Sequence, residues 1–178
     1  MNAPPPQPVP TKPFPTWMIV LLCVVGAIFV FGGVFGVLAI YGIRKYIANA
    51  KTAEARNAVG QIAKDAAMAY EKSHALCSSA SSPVPPSMTS LRGTKYQSTP
   101  QEWAVDQARN GGFACLGFSM DLPQYFQYSY SASGGQFVAT AHGDLNGDGK
   151  VSTFIARGRV TAGVLQIGPS VEETDPEE

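Results

Sequence analysis

From Trp17 to Ile43 the chain runs twenty-seven residues without a charged side chain. As a helix rising about 1.5 Å per residue, such a stretch reaches roughly 40 Å, more than the ~30 Å hydrocarbon core of a bilayer requires. Lipid offers backbone groups no hydrogen-bond partner, so the segment is predicted to cross the membrane as a helix, with membrane lipid as its first partner. Trp17 at one end and Tyr41 and Tyr46 at the other match the aromatic anchors of a membrane interface, and Thr16 is placed to cap the helix start.

A cleaved secretory signal is the competing reading, because Ala48-Asn49-Ala50 offers a small-x-small cleavage site. Two features weigh against it: the apolar run far exceeds the 7–15 residues of a signal core, and a charged leading region is nearly absent. The residues before the span (1–16) carry seven prolines and one charge, Lys12, and are predicted to be an extended, disordered tail. Orientation is contested within the sequence. Arg44, Lys45, Lys51 and Arg56 crowd the C-terminal flank, which by the positive-inside rule would keep the downstream domain in the cytoplasm. The cysteine pair and the acid-rich loop described below favour a domain outside it, and that is the expected topology.

Beyond Ile43 the pattern becomes amphipathic. Ile47, Ala55, Val59, Ile62, Ala66, Ala69 and Tyr70 recur largely at three- and four-residue steps, while Lys51, Glu54, Arg56, Lys64, Asp65 and Glu71 occupy other faces. Alanine is abundant and proline absent, so one continuous helix from about Trp17 to about Ser73 is predicted, its first part (17–43) in lipid and its second (44–73) packed on a domain. Residues 78–100, rich in Ser, Pro and Thr, read as a long surface loop. Short apolar pieces at Trp103–Ala108 and Phe113–Phe118 precede three strand candidates, Tyr125–Ser131, Phe137–His142 and Ser152–Val160. In the first of these, Phe126, Tyr128 and Tyr130 alternate with Tyr125, Gln127 and Ser129 to give two faces. Ser133-Gly134-Gly135 and Asn146-Gly147-Asp148-Gly149 supply hairpin chemistry between them, so an antiparallel meander within residues 113–168 is expected. The fold class is therefore α+β: a long N-terminal helix, transmembrane then amphipathic, against a small antiparallel sheet. The domain spans 44–170, and residues 171–178, with five acids in eight, are predicted to be a disordered tail.

A chain of 178 residues with this anchor leaves roughly 100 residues for one modest domain, too little for multi-domain enzymology. Thirteen basic and thirteen acidic side chains cancel, with no basic stripe interleaved with aromatics, so nucleic acid is not an expected partner. Cys77 and Cys115 flank the region between helix and sheet and read as one disulfide, the alternative being two reduced thiols; Cys23 lies inside the span. No nucleophile elbow, P-loop, dinucleotide fingerprint or zinc-protease motif occurs, and His74 and His142 lack the neighbouring acids or thiols of a zinc site. A catalytic role is not expected.

Asp144-Leu145-Asn146-Gly147-Asp148-Gly149 is the sharpest chemical signal. Oxygens at positions 1, 3 and 5 with glycine at 6 match the start of a calcium loop; Lys150 could add its carbonyl and Ser152 its hydroxyl, directly or through water. Position 12 is Ile155 instead of a bidentate glutamate, so a full EF-hand is excluded, and a plain Asn-Gly/Asp-Gly turn explains the same residues. Calcium is the one cofactor the sequence suggests, in a loop-stiffening role. Within the span, Gly32 and Gly36 form a G-x-x-x-G pair, which suits close approach of a second helix, with Gly26, Gly33 and Gly42 adding thin spots.

A long helix, half apolar and half amphipathic, followed by a loop and an antiparallel sheet resembles a type IV pilin or pseudopilin. The resemblance is closest over Gly36–Tyr70, where the stretch from Gly36 through Ala53-Glu54-Ala55-Arg56 is similar to the end of the pilin N-terminal helix. Cys115-Leu-Gly-Phe-Ser, Tyr128-Ser-Tyr, Gly143-Asp-Leu-Asn-Gly-Asp-Gly and Ser152-Thr-Phe resemble the sheet region of such proteins. The family's leader ending in glycine, and the glutamate at the fifth position of its apolar run, have no counterpart between Trp17 and Ile43. What the resemblance implies is a membrane-resident pilin-like structural protein of a fimbrial or type II secretion-like assembly, whose partners are other pilin-like subunits or further copies of itself. The alternative is a membrane-tethered extracytoplasmic binding or sensing module that does not polymerise, using the 90–112 region or the 144–149 loop for recognition.

Overall fold

The computed structural model describes residues 15–176, and the predicted proline-rich tail, with Lys12, lies almost entirely outside them. One helix, α1, runs over Thr16–Ser73, and the chain divides into two compact units at Arg44/Lys45. In the first unit, residues 17–43 bury nothing: Phe29, Phe31, Phe35 and Leu38 are all more than half exposed. This is one helix near the N-terminus long and apolar enough to cross a membrane.

The second unit has a long helix packed on an antiparallel sheet, the pilin architecture in its general form. β1 (Gln127–Ser133), β2 (Gln136–Gly143), β3 (Ser152–Thr161) and β4 (Val164–Ile167) lie in sequence order, and β5 (Glu172–Thr174) pairs with β3. All four pairings are antiparallel. The register follows from side-chain alternation: Tyr128 and Tyr130, Phe137, Ala139 and Ala141, and Phe154 and Ala156 all fall on one face. Against that face α1 sets Ala55, Val59, Ile62 and Ala66, each at most 1% exposed. Small residues on helix and central strand leave room for the aromatics of β1 and β3, so the layers interdigitate. Thr52 and Asp65 extend the buried stripe, Asp65 accepting from Gln61 Nε2 at 2.7 Å, whereas Ile47 is 48% exposed. Asp65 is thus not on a solvent face and Ile47 not in the core, contrary to the periodicity.

Three further departures concern the sheet and its edges. Residues 113–116 belong to a short helix, α3 (Gly112–Leu116), following α2 (Pro100–Trp103), so the sheet begins at Gln127 and not at 113. The loop 78–100 is more ordered than its prolines suggest: Ala80 N–H donates to Tyr130 O, and Val84 and Tyr128 exchange two backbone bonds, so this segment closes the outer edge of β1. Residues 172–174, predicted as disordered tail, form β5 along Thr153–Ile155, held by Arg56 to Glu173 and Arg157 to Glu172. The final residues Glu177 and Glu178 lie outside those described.

Cys77 and Cys115 form a disulfide that ties the segment after α1 to α3. Trp103 packs edge-on to Phe113 and Phe118, and its indole N–H donates to Ser98 Oγ, which donates to the fully buried Gln124. The amide nitrogen of Gln124 reaches Val84 O and Phe126 O, so this polar group inside the core is satisfied on every side.

Candidate functional site

In the first unit the candidate surface is the span itself. Gly32 and Gly36 stand one turn apart on one face, and a Cβ built at either would meet nothing within 4 Å. The same holds at Gly26, Gly33 and Gly42, so the glycines are not explained by packing within the chain. Cys23, a free thiol, is exposed on the same helix.

In the second unit the 144–149 turn is brought together as the spacing implies. Asp144 is 2% exposed, and its carboxylate accepts from the Gly147 N–H at 2.7 Å and the Gly149 N–H at 3.0 Å. Asn146 Oδ1 accepts from Asp148 N–H, and Asp148 Oδ1 from Lys150 N–H. Gly147 and Gly149 adopt φ of 80° and 94°, the left-handed conformations such a tight path needs. Ser152 is fully buried at the first position of β3, opposite Gly143. Among the described residues no group of three or more His, Cys, Asp or Glu converges as a metal cluster.

Around this turn lies a constellation with no signature in the linear sequence. Lys51 Nζ donates to Leu145 O at 3.5 Å, Gly93 N–H donates to Asp144 O, and Arg92 Nε stands 3.9 Å from Asp144 Oδ2. Lys51 and Lys95 each place their ammonium 4.8 Å from the centroid of the Tyr125 ring. Glu54 Oε1 accepts from the Tyr125 backbone N–H at 2.8 Å and from Tyr128 Oη at 3.0 Å. Burial pushes the Glu54 carboxyl above its ordinary range, and hydrogen bonds from Tyr125 and Tyr128 with the Lys95 charge offset only part of that. Tyr128 is driven upward in turn, by its own burial and then by the facing carboxylate. Nothing in the local sequence pairs Lys95 or Tyr125 with Lys51; the bridge between Tyr96 and Gln124, with bonds from Gln97 to Asp121 O and from Ser98 to Gln124, brings the two loops together.

His74 ends α1 with φ of 53°, and His142, half-buried on β2, shares a hydrogen bond of 3.1 Å with Thr153 Oγ1; burial holds its pKa below the ordinary value. The two do not form a site. Partly within the 90–112 region, an open groove of about 300 Å³ is lined by Pro100, Trp103 and Gln107 together with Phe113, Gly117 and Phe118 beyond it. Asp106, behind it, accepts from Ser81 N–H and pairs with Arg109; these bonds outweigh burial and hold its carboxyl below the usual range. No family model, curated protein or solved structure matches the chain.

Proposed function

We propose that this protein is a membrane-anchored, pilin-like structural subunit of a fimbrial or type II secretion-like assembly, without catalytic activity. The observation that carries the reading is the division of labour along α1: a charge-free first part with no buried residue, and a second part whose buried stripe seats an antiparallel sheet. The first part inserts among neighbouring helices, and the glycine face at Gly32 and Gly36 is where a second helix approaches closest. The sheet domain is then carried outside the cytoplasm, where the Cys77–Cys115 bridge is stable.

The absence of any acid between Trp17 and Ile43 favours a second reading, a tethered binding module that never polymerises. Single cysteines at Gly32 or Gly36, in a Cys23→Ser background, separate the two. Disulfide-linked dimers formed in membranes at both positions, and not at Val34 or Leu38 on the opposite face, are expected for the subunit. Monomers throughout, with the chain retained in carbonate-washed membranes, overturn assembly and leave the tethered module.

A further inference from the structure

The base of the sheet domain, where three loops meet the first turns of its helix, has a composition that the assembly reading does not use. Residues 92–95, 121–125 and 144–149 converge around Lys51, through Gly93 N–H to Asp144 O, the Tyr96–Gln124 bridge, and Lys51 to Leu145 O. Two ammonium groups share one aromatic ring there, so the charges of Lys51 and Lys95 are at most twice 4.8 Å apart. Like charges at that spacing repel, and Glu54, on which the Lys95 charge acts, spends its hydrogen bonds inward on Tyr125 N–H and Tyr128 Oη. Asp144 is likewise buried and committed to backbone N–H groups, whereas the Arg92 side chain is 62% exposed. Glu54 and Asp144 therefore face into the fold, whereas Asp121 and Asp148 are exposed; of the cations, Arg92 and Lys95 are exposed and Lys51 is half-buried. On the same loop as Tyr125, Leu122 is 75% exposed. Cations around an amphipathic ring, beside an exposed leucine, are the chemistry of a surface that sits on charged headgroups.

Eight residues of α1, about 12 Å of helix rise, separate Ile43 from Lys51. The headgroup layer, roughly 5–7 Å deep beyond the hydrocarbon, takes up about half of that rise, and the remainder is less than the Debye length of about 8 Å at physiological salt, so chain connectivity keeps this end within electrostatic reach of a bilayer holding residues 17–43. We infer that Lys51, Lys95 and Arg92, around Tyr125, dock the base of the domain on the anionic phospholipid headgroups of the membrane that anchors it. The inference rests on the membrane reading and holds for either orientation of the chain.

The test uses the full chain in vesicles of phosphatidylcholine alone or with about 30% phosphatidylglycerol, followed by amide hydrogen exchange of residues 92–97 and 121–126. Exchange slowed at least about threefold by the anionic lipid, and restored at about 1 M salt, where the Debye length is near 3 Å, is the expected result. The Lys51→Gln/Lys95→Gln variant should lose the effect, and the salt series on the unaltered chain stands if that variant fails to fold. Equal exchange in the two compositions, with the chain retained after a carbonate wash, overturns the docking surface and spares the span. Release of the chain by the wash overturns the membrane reading and the inference with it. If inorganic phosphate with neutral vesicles gives the same protection, the surface takes free phosphate and the lipid assignment is wrong.

Discussion

Glu54 is where one side chain does most to couple helix to sheet. Replacing it by alanine strands the Tyr128 hydroxyl and the Tyr125 N–H together, with an expected loss of about 2–3 kcal/mol in chemical denaturation. Its titration gives a sharper test. Burial raises its folded pKa above the ordinary 4.5, so the folded state holds the proton more tightly than the unfolded chain. The stability of the protein relative to Glu54→Gln is then greatest below pH 4.5 and declines as pH rises through the raised folded value. A pH series of unfolding midpoints that slopes the other way would mean that the Tyr hydrogen bonds and Lys95 outweigh burial. Gly158 is the steric counterpart. A Cβ there would collide with Phe137 Cε1, and Phe137 is 1% exposed with no space to retreat. Gly158→Ala should cost about 3 kcal/mol by overpacking, while Gly60→Ala, where a Cβ meets nothing within 4 Å, should be neutral or slightly stabilising.

Among elements, the disulfide and β5 make opposite demands on intuition. The bridge closes a loop of 38 residues, for which the chain-entropy account gives about 4 kcal/mol. A Cys77→Ala/Cys115→Ala double variant should therefore melt far lower, and a fall of less than about 1 kcal/mol would show that the helix-to-α3 packing holds without it. β5 attracts attention because Arg56 and Glu173 make two short bonds, 2.6 and 2.8 Å. Yet Arg56 is 39% exposed, the strand is three residues long, and solvent screening limits such a pair to about 1 kcal/mol or less. Truncation before Glu172 should change the denaturation midpoint only slightly. The pairing also protects: with Glu172 and Glu173 along β3 and Pro169 just before them, that half of the outer edge is poorly suited to pairing with another chain.

For the molecule as a whole, calcium and topology are the properties that remain measurable by simple means. The 144–149 turn offers two carboxylates and one amide oxygen, with Ile155 at the twelfth position. A site so poor in charge belongs at the weak end of calcium loops, with a Kd of about 10⁻³ M, and 1 mM calcium would then add about 0.4 kcal/mol. The thermal midpoint should rise by no more than about 2 °C over its value in chelator. A rise beyond about 5 °C would require ligands from outside the turn, and no rise identifies a plain Asx-rich turn. Topology is tested by protease on intact cells: loss of the acidic C-terminal segment is expected, since the domain is proposed to lie outside, and full protection would reverse the orientation.

Much of this architecture is legible in the residues themselves. Absence of charge over 17–43 and the 3.6-residue recurrence of Ala55, Val59, Ile62 and Ala66 depend only on local chemistry, as does the alternation of Phe126, Tyr128 and Tyr130 with polar neighbours. Periods of that kind declare helix and strand because each element must turn one face from water. The glycine pairs declare two of the hairpins for an equally local reason, a left-handed φ. Long-range pairing has no such signature. The 80–84 segment covers β1 despite its prolines because Val84 lies between them with both backbone groups free to bond Tyr128, and β5 forms because Arg56 and Arg157 await its glutamates. Asp65 in the buried stripe and the meeting of Lys51 with Lys95 over Tyr125 follow from neighbours remote in the chain. A helix suited to lipid, its amphipathic extension and the meander are readable from linear order, since these answer to nearest neighbours and solvent alone. Which edges are closed, which charges turn inward and which gather at the base emerge only on folding, because those depend on distances between residues that lie tens of positions apart in the chain.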